Sequence, residues 1–90
     1  MHKYLVSDKL HKNLRKISKK DKTLYDKILN KINEIITSES ITHYKNLKYI
    51  MKDSKRVHIG HFVLIFQYDK KSNTIIFDNI KHHDMVYKER

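Results

Sequence analysis

Residues 56–69 read RVHIGHFVLIFQYD, and how this run is divided decides the fold. It is rich in Val, Ile, Phe and Tyr, the residues that pack best on a pleated surface. Gly60, the only glycine of the chain, sits inside it. An isolated glycine in a strand-like run signals a bulge, a bend or two short strands meeting. From Phe62 to Phe66 the side chains are apolar on both faces of an extended chain, so this segment belongs at the centre of a sheet that something covers. Asp69 to Asn73 supplies a polar hairpin loop, and Thr74 to Ile80 (TIIFDNI) the returning strand.

Towards the N-terminus the period changes from two to about 3.6. Leu10, Leu14 and Ile17 recur at spacings of four and three behind Ser7, a helix-capping residue, and Asp8, which suits a first helical turn. Asp21 is the next cap, followed by Leu24, Ile28, Ile32, Ile35 and Ile36 at helical spacing up to Thr37-Ser38-Glu39-Ser40. The apolar repeat is too short for a dedicated coiled coil. Lys3 to Val6 (KYLV) forms a short opening strand, and Tyr44 to Met51 is a candidate for another. These helices are the only available cover for the apolar sheet. The expected fold class is therefore α+β in the order β-α-α-β-β-β, with a two-helix hairpin packed on one face of a small, mainly antiparallel twisted sheet.

Ninety residues make one domain, 1–90, with no repeat and no linker; a chain of this size hides roughly two thirds of the surface its unfolded form exposes. Twenty Lys and Arg against ten Asp and Glu give a formal charge of +10. That excess points to a polyanionic partner, nucleic acid or the ribosome foremost, although a merely solvated lysine-rich surface produces the same count. The absence of cysteine excludes thiolate catalysis, disulfides and Cys-ligated zinc. The N-terminal MHKYLVSDKL lacks a signal-peptide core and no apolar run is long enough to cross a bilayer, so the expected compartment is the cytoplasm.

Three stretches carry candidate chemistry. In HYKNLKYIMKDSKR, residues 43–56, Lys45, Lys48, Lys52, Lys55 and Arg56 alternate with Tyr44 and Tyr49. The combination neutralises phosphates and stacks unpaired bases, and it equally describes a solvated loop. Further on, strand alternation puts Arg56 and His58 on one face. If Val57 and Ile59 face the helices, the arginine and the imidazole project from the open side, either as a cross-strand polar pair or as a charge-stabilising and proton-exchanging pair. The third stretch is His82-His83-Asp84-Met85-Val86-Tyr87. Neighbours on an extended segment point to opposite faces, which argues against His82 and His83 holding one metal ion. On a helical turn His83 and Tyr87 share a face, an arrangement that suits a phosphate; a polar terminal segment packed on the sheet edge is the alternative. No GxSxG elbow is present, and one glycine cannot build a phosphate loop.

The element order, with NLKYIMKDSKRVHIGHFVLIFQYD leading to IIFDNIKHHDMVYK, resembles the RelE/ParE superfamily of toxins from type II toxin–antitoxin modules. The resemblance covers almost the whole chain. Its RelE branch implies a ribosome-dependent mRNA endoribonuclease that needs no metal or other cofactor: a 2′-hydroxyl attacks the adjacent phosphate while side chains move protons and stabilise charge. By position, Arg56 and His58 match that family's basic pair before the glycine, His82 and His83 its His-Arg pair, and Tyr87 its stacking aromatic. The lysines at 45, 48, 52 and 55 would hold RNA and ribosome. One departure stands out: Phe62-Val63 occupies the step where active members usually carry Tyr-Arg. The resemblance also implies a small RelB-like antitoxin as partner. Its ParE branch, which acts on DNA gyrase without cutting RNA, and an inactive antitoxin-binding relative are the alternatives.

Overall fold

The computed structural model describes residues 2–39 and 54–84. Within them the order is β1 (Lys3–Val6), α1 (Asp8–Lys20), α2 (Lys22–Thr37), β2 (Ser54–Ile59), β3 (Phe62–Asp69) and β4 (Thr74–His82). This is the expected β-α-α-β-β-β sequence; the short strand anticipated over 44–51 lies outside the described residues.

Both helix starts follow from side-chain chemistry. Ser7 Oγ accepts the backbone N–H of Leu10 at 3.1 Å, and Asp21 Oδ1 accepts that of Leu24 at 3.0 Å. Each supplies a partner to an N–H that the helix leaves unpaired. The Ser7 hydroxyl also donates to the carbonyl of Asp78, so the cap of α1 is tied to the sheet.

The strands form one sheet in the order β1-β4-β3-β2. Only the β1–β4 pair is parallel; β4–β3 and β3–β2 are antiparallel. Gly60 proves to be where two strands meet. Ile59 pairs with Phe62, leaving Gly60 and His61 as a two-residue hairpin turn with Gly60 at φ +61°. A positive φ at the first central position is the type II′ pattern, which glycine adopts without steric cost and which matches strand twist.

The bulge lies elsewhere. Ile65 pairs with Asn79 but Phe66 pairs with Phe77, so Asp78 is an extra residue on β4. Asn79 Oδ1 accepts the N–H of Ile80 at 2.8 Å and the side-chain amide of Asn13 on α1 at 2.6 Å. These bonds satisfy polar groups that a bulge removes from the ladder.

Leu10, Leu14, Ile28, Ile32, Ile35 and Ile36 from the helices meet Ile59, Leu64, Phe66, Ile75, Phe77 and Ile80 from the sheet in a single core. Val63 and Ile65 point the other way, yet they are 0% and 8% exposed. The inner strand β3 is thus apolar on both faces, as its run of five apolar residues predicts, and the helices account for one of them.

Candidate functional site

The face of the sheet turned away from the helices carries the candidate chemistry. Along β2, Val57 and Ile59 pack towards the core while Arg56 and His58 alternate to the open side. The register sets His58 beside Val63 and Arg56 beside Ile65, and on the far flank of β3 sets Lys81 beside Val63. A row His58, Val63, Lys81 therefore crosses three strands. His83 follows Lys81, and its ring centroid lies 5.3 Å from that of His58 with the planes tilted by 39°.

The end of β4 is shaped by local bonds. The backbone N–H of His83 donates to the carbonyl of His61 at 2.7 Å, which closes the β3–β4 ladder at the turn. His82 Nδ1 then accepts the N–H of Asp84 at 3.3 Å, in the manner of a cap on the helical turn that begins at His83. The Asp84 carboxylate is 3.7 Å from His83 Nδ1 and 3.9 Å from His82 Nδ1.

The two adjacent histidines go to different sides of the sheet. His82 pairs with Phe62, whose ring packs on the helix-side core, and its own ring lies edge-on to Phe62 at 5.5 Å and stacks on His61 at 6.2 Å. The cause is the bulge. Ile75 and Phe77 face the helices at odd positions, and the extra Asp78 moves the inward set to Ile80 and His82. His83 is thereby delivered to His58.

Of the residues singled out from the sequence, Arg56, His58 and His83 share the open side. Lys55 pairs with the core residue Phe66 and so alternates to the helix side. Tyr87, Lys45, Lys48 and Lys52 lie outside the described residues. Lys81 was not singled out; the signal for it is the shift of apolar positions from odd (Ile75, Phe77) to even (Ile80), which moves Lys81 outward. Among the described residues no group of three His, Cys, Asp or Glu side chains converges on one point, and no helix is long and apolar enough to cross a membrane.

A sheet face turned away from the helices that carries two neighbouring imidazoles, an arginine and a lysine can bind a phosphodiester, stabilise added negative charge on it and exchange protons with it. Comparison with known proteins agrees with the fold. Residues 4–87 match the family described as ParE toxin of type II toxin-antitoxin system, parDE. Over 91 residues the chain is 42% identical to a protein of Methanocaldococcus jannaschii named for the RelE toxins (RelE4), covering 100% of this chain and 95% of the relative. The isolated RelE toxin of E. coli superposes with a TM-score of 0.74 at 17% identity, over 99% of this chain and 94% of that one. RelE in the intact E. coli RelBE toxin–antitoxin complex superposes with a TM-score of 0.73 at 15% identity, over 91% and 96%. The chain belongs to the RelE/ParE superfamily of type II toxin–antitoxin toxins, as a member of the ParE toxin family.

Proposed function

We propose that this toxin is a metal-independent, ribosome-dependent mRNA endoribonuclease that inhibits translation in the cytoplasm. The observation that carries the reading is the His58–His83 pair, 5.3 Å between ring centroids, on the same open face as Arg56. In this mechanism one imidazole takes the proton from the attacking 2′-hydroxyl and the other returns one to the leaving 5′-oxygen. Arg56 balances the charge that builds on the phosphorus-bound oxygens. Lys81 is the second cation of that face, and Tyr87 stacks on a base. His82 acts through the turn it caps, as a positioning residue, while Lys45, Lys48 and Lys52 hold RNA and ribosome; Lys55, on the helix side of the sheet, lies off the face that carries His58 and His83.

The partner that restrains the toxin is a small RelB-like antitoxin. Support comes from Tyr4, Leu5 and Leu29, large apolar side chains that are 51%, 61% and 39% exposed on a chain of charge +10. A partner combining acidic and apolar residues is complementary to such a surface.

The test is induction with and without the antitoxin, scored by growth and by mapping mRNA 5′ ends. New ends should appear with wild type and be lost in His58→Ala and His83→Ala, with antitoxin binding retained, whereas His82→Ala keeps part of the activity. Cleavage equal to wild type in the His58/His83 double variant would refute the assignment.

A second reading rests on Val63, which stands where the related nucleases carry arginine, and on the match to the ParE family. It is a toxin that acts by binding DNA gyrase. Loss of supercoiling on induction, with no new mRNA ends, would establish that reading in place of the first.

A further inference from the structure

We propose that the groove between α1 and the end of the sheet where β3 begins and β4 finishes binds one unstacked base of single-stranded RNA, with Lys16 and Lys20 on the phosphates beside it. The groove measures about 520 Å³, within the range of small-ligand sites, and half-buried Ile17, Leu24 and Phe62 with buried Ile80 form its apolar floor. It lies on the helix side of the sheet, opposite the face that carries His58 and His83.

Two asparagines carry the proposal. Asn79 Oδ1 accepts the backbone N–H of Ile80 at 2.8 Å, which identifies it as the oxygen of that amide. The group of Asn13 that lies 2.6 Å from it is therefore the NH₂, and the same NH₂ reaches the Ile80 carbonyl at 3.5 Å. Backbone groups thus fix the orientation of both amides. One acceptor, Asn13 Oδ1, and one donor, Asn79 Nδ2, are left without a hydrogen-bond partner among the described residues, although both side chains are half-buried and line the groove. Polar groups held in place, half-buried and unpaired suit a ligand. The edge of a base offers a donor and an acceptor side by side in its plane.

The aromatic part fits the body of a base. His82 lies edge-on to Phe62, with ring centroids 5.5 Å apart and planes at 74°, so the two rings make a corner in which a flat heterocycle stacks on one and meets the other side-on. Asn13, Lys16, Ile17 and Lys20 stand three or four apart on α1 and share one face of it, with both lysines exposed at the rim. Asp21, the carboxylate among the described lining residues, is turned to the Leu24 N–H that it caps at 3.0 Å. The rim therefore favours an anion, and phosphate contacts of this kind position a strand.

Continuity with the candidate site selects RNA over an acidic protein segment. His82 and His83 are chain neighbours that diverge to the two sides of the sheet end, so a strand whose reacting phosphate lies at His83 reaches the groove by passing around that end. The identity of the strand rests on the proposed function; the preference of the groove for a base does not.

The test follows the side-chain amide resonances of Asn13 and Asn79 in ¹⁵N-labelled protein during titration with the four ribonucleoside 5′-monophosphates, with ribose 5-phosphate as the base-free control. At least one nucleotide should move both amides, and ribose 5-phosphate should move neither. Anisotropy of a 2′-O-methyl single-stranded oligomer, which cannot be cut, supplies the second measurement. The Lys16→Ala/Lys20→Ala pair should weaken it roughly fivefold or more, and Lys70→Ala/Lys71→Ala, the same loss of charge at the opposite end of the sheet, by less than about twofold. Amides indifferent to every nucleotide, or equal losses in the two lysine pairs, overturn the groove. So does a glutamate-rich amphipathic peptide that moves the amides where nucleotides do not, because the occupant is then a protein segment. New mRNA ends on induction with unmoved amides would leave the proposed function standing without the groove; nucleotide-specific shifts with no new ends would leave the groove without the nuclease.

Discussion

At the residue scale the central position is Val63. It is fully buried near the start of β3, between His58 on one neighbouring strand and Lys81 on the other. The valine fills the space that a longer side chain would have to enter, and a guanidinium there would stand next to the Lys81 ammonium. Val63→Arg, which introduces the arginine that the RelE resemblance leads one to expect, is therefore expected to destabilise the fold by about 1–3 kcal/mol through overpacking. Urea denaturation measures this directly. Unchanged stability would mean that packing does not enforce the departure. Gly60 gives a contrasting case, because an added Cβ meets nothing within 4 Å and only the backbone conformation at φ +61° matters. Gly60→Ala should cost about 1–2 kcal/mol, the penalty of the left-handed region for a residue with a side chain. Gly60→Asn should recover part of it, since asparagine tolerates that region.

At the element scale β4 is the strand that makes the site. Its extra residue, Asp78, turns Lys81 and His83 outward, and Asn79 holds the irregular backbone by bonding both Ile80 N–H and the amide of Asn13. Asn79→Ala removes the side-chain acceptor of the Ile80 N–H and leaves the Asn13 amide only its longer bond, 3.5 Å, to the Ile80 carbonyl, in a half-buried setting. The expected loss is about 1–3 kcal/mol, seen as a lowered melting temperature, with the His58 and His83 imidazole proton resonances shifted because their contact depends on the bulge. A loss of stability with both imidazole signals unmoved would separate the bulge from the site. The helices contribute differently. Their caps, Ser7 and Asp21, set where α1 and α2 begin, and the Ser7 hydroxyl bonded to Asp78 links the start of α1 to the same irregularity.

At the scale of the whole molecule, charge governs association. A chain of formal charge +10 that neutralises even three phosphates of single-stranded RNA should lose roughly tenfold or more in affinity between 50 and 200 mM salt, since log K falls with a slope of about −0.7 per phosphate contact. Anisotropy titrations at several salt concentrations give the slope. Removal of one open-face cation, Lys81→Ala, should make it shallower by about that amount. A slope indifferent to Lys81 would move the RNA path away from this face. Antitoxin binding should depend less steeply on salt, because exposed Tyr4, Leu5 and Leu29 offer apolar contacts that counter-ions do not screen.

The sequence by itself determined the elements of the described residues, their order and the inward faces of the two helices. Helix caps and 3.6-residue periods are local, and a run such as Phe62–Phe66 has few places to go in a chain with two helices to cover it. It also put Arg56 and His58 on one side, because alternation along a regular strand needs no partner. The direction of His82 and His83 was open to no such argument. That they diverge was legible; which of them meets His58 was not, because one extra residue in β4 reverses every assignment beyond it. A bulge is a mismatch between two strands and exists only once β3 and β4 are paired. The approach of His83 to His58 across β3, and the row that sets Lys81 beside Val63, likewise belong to register, which tertiary packing alone decides.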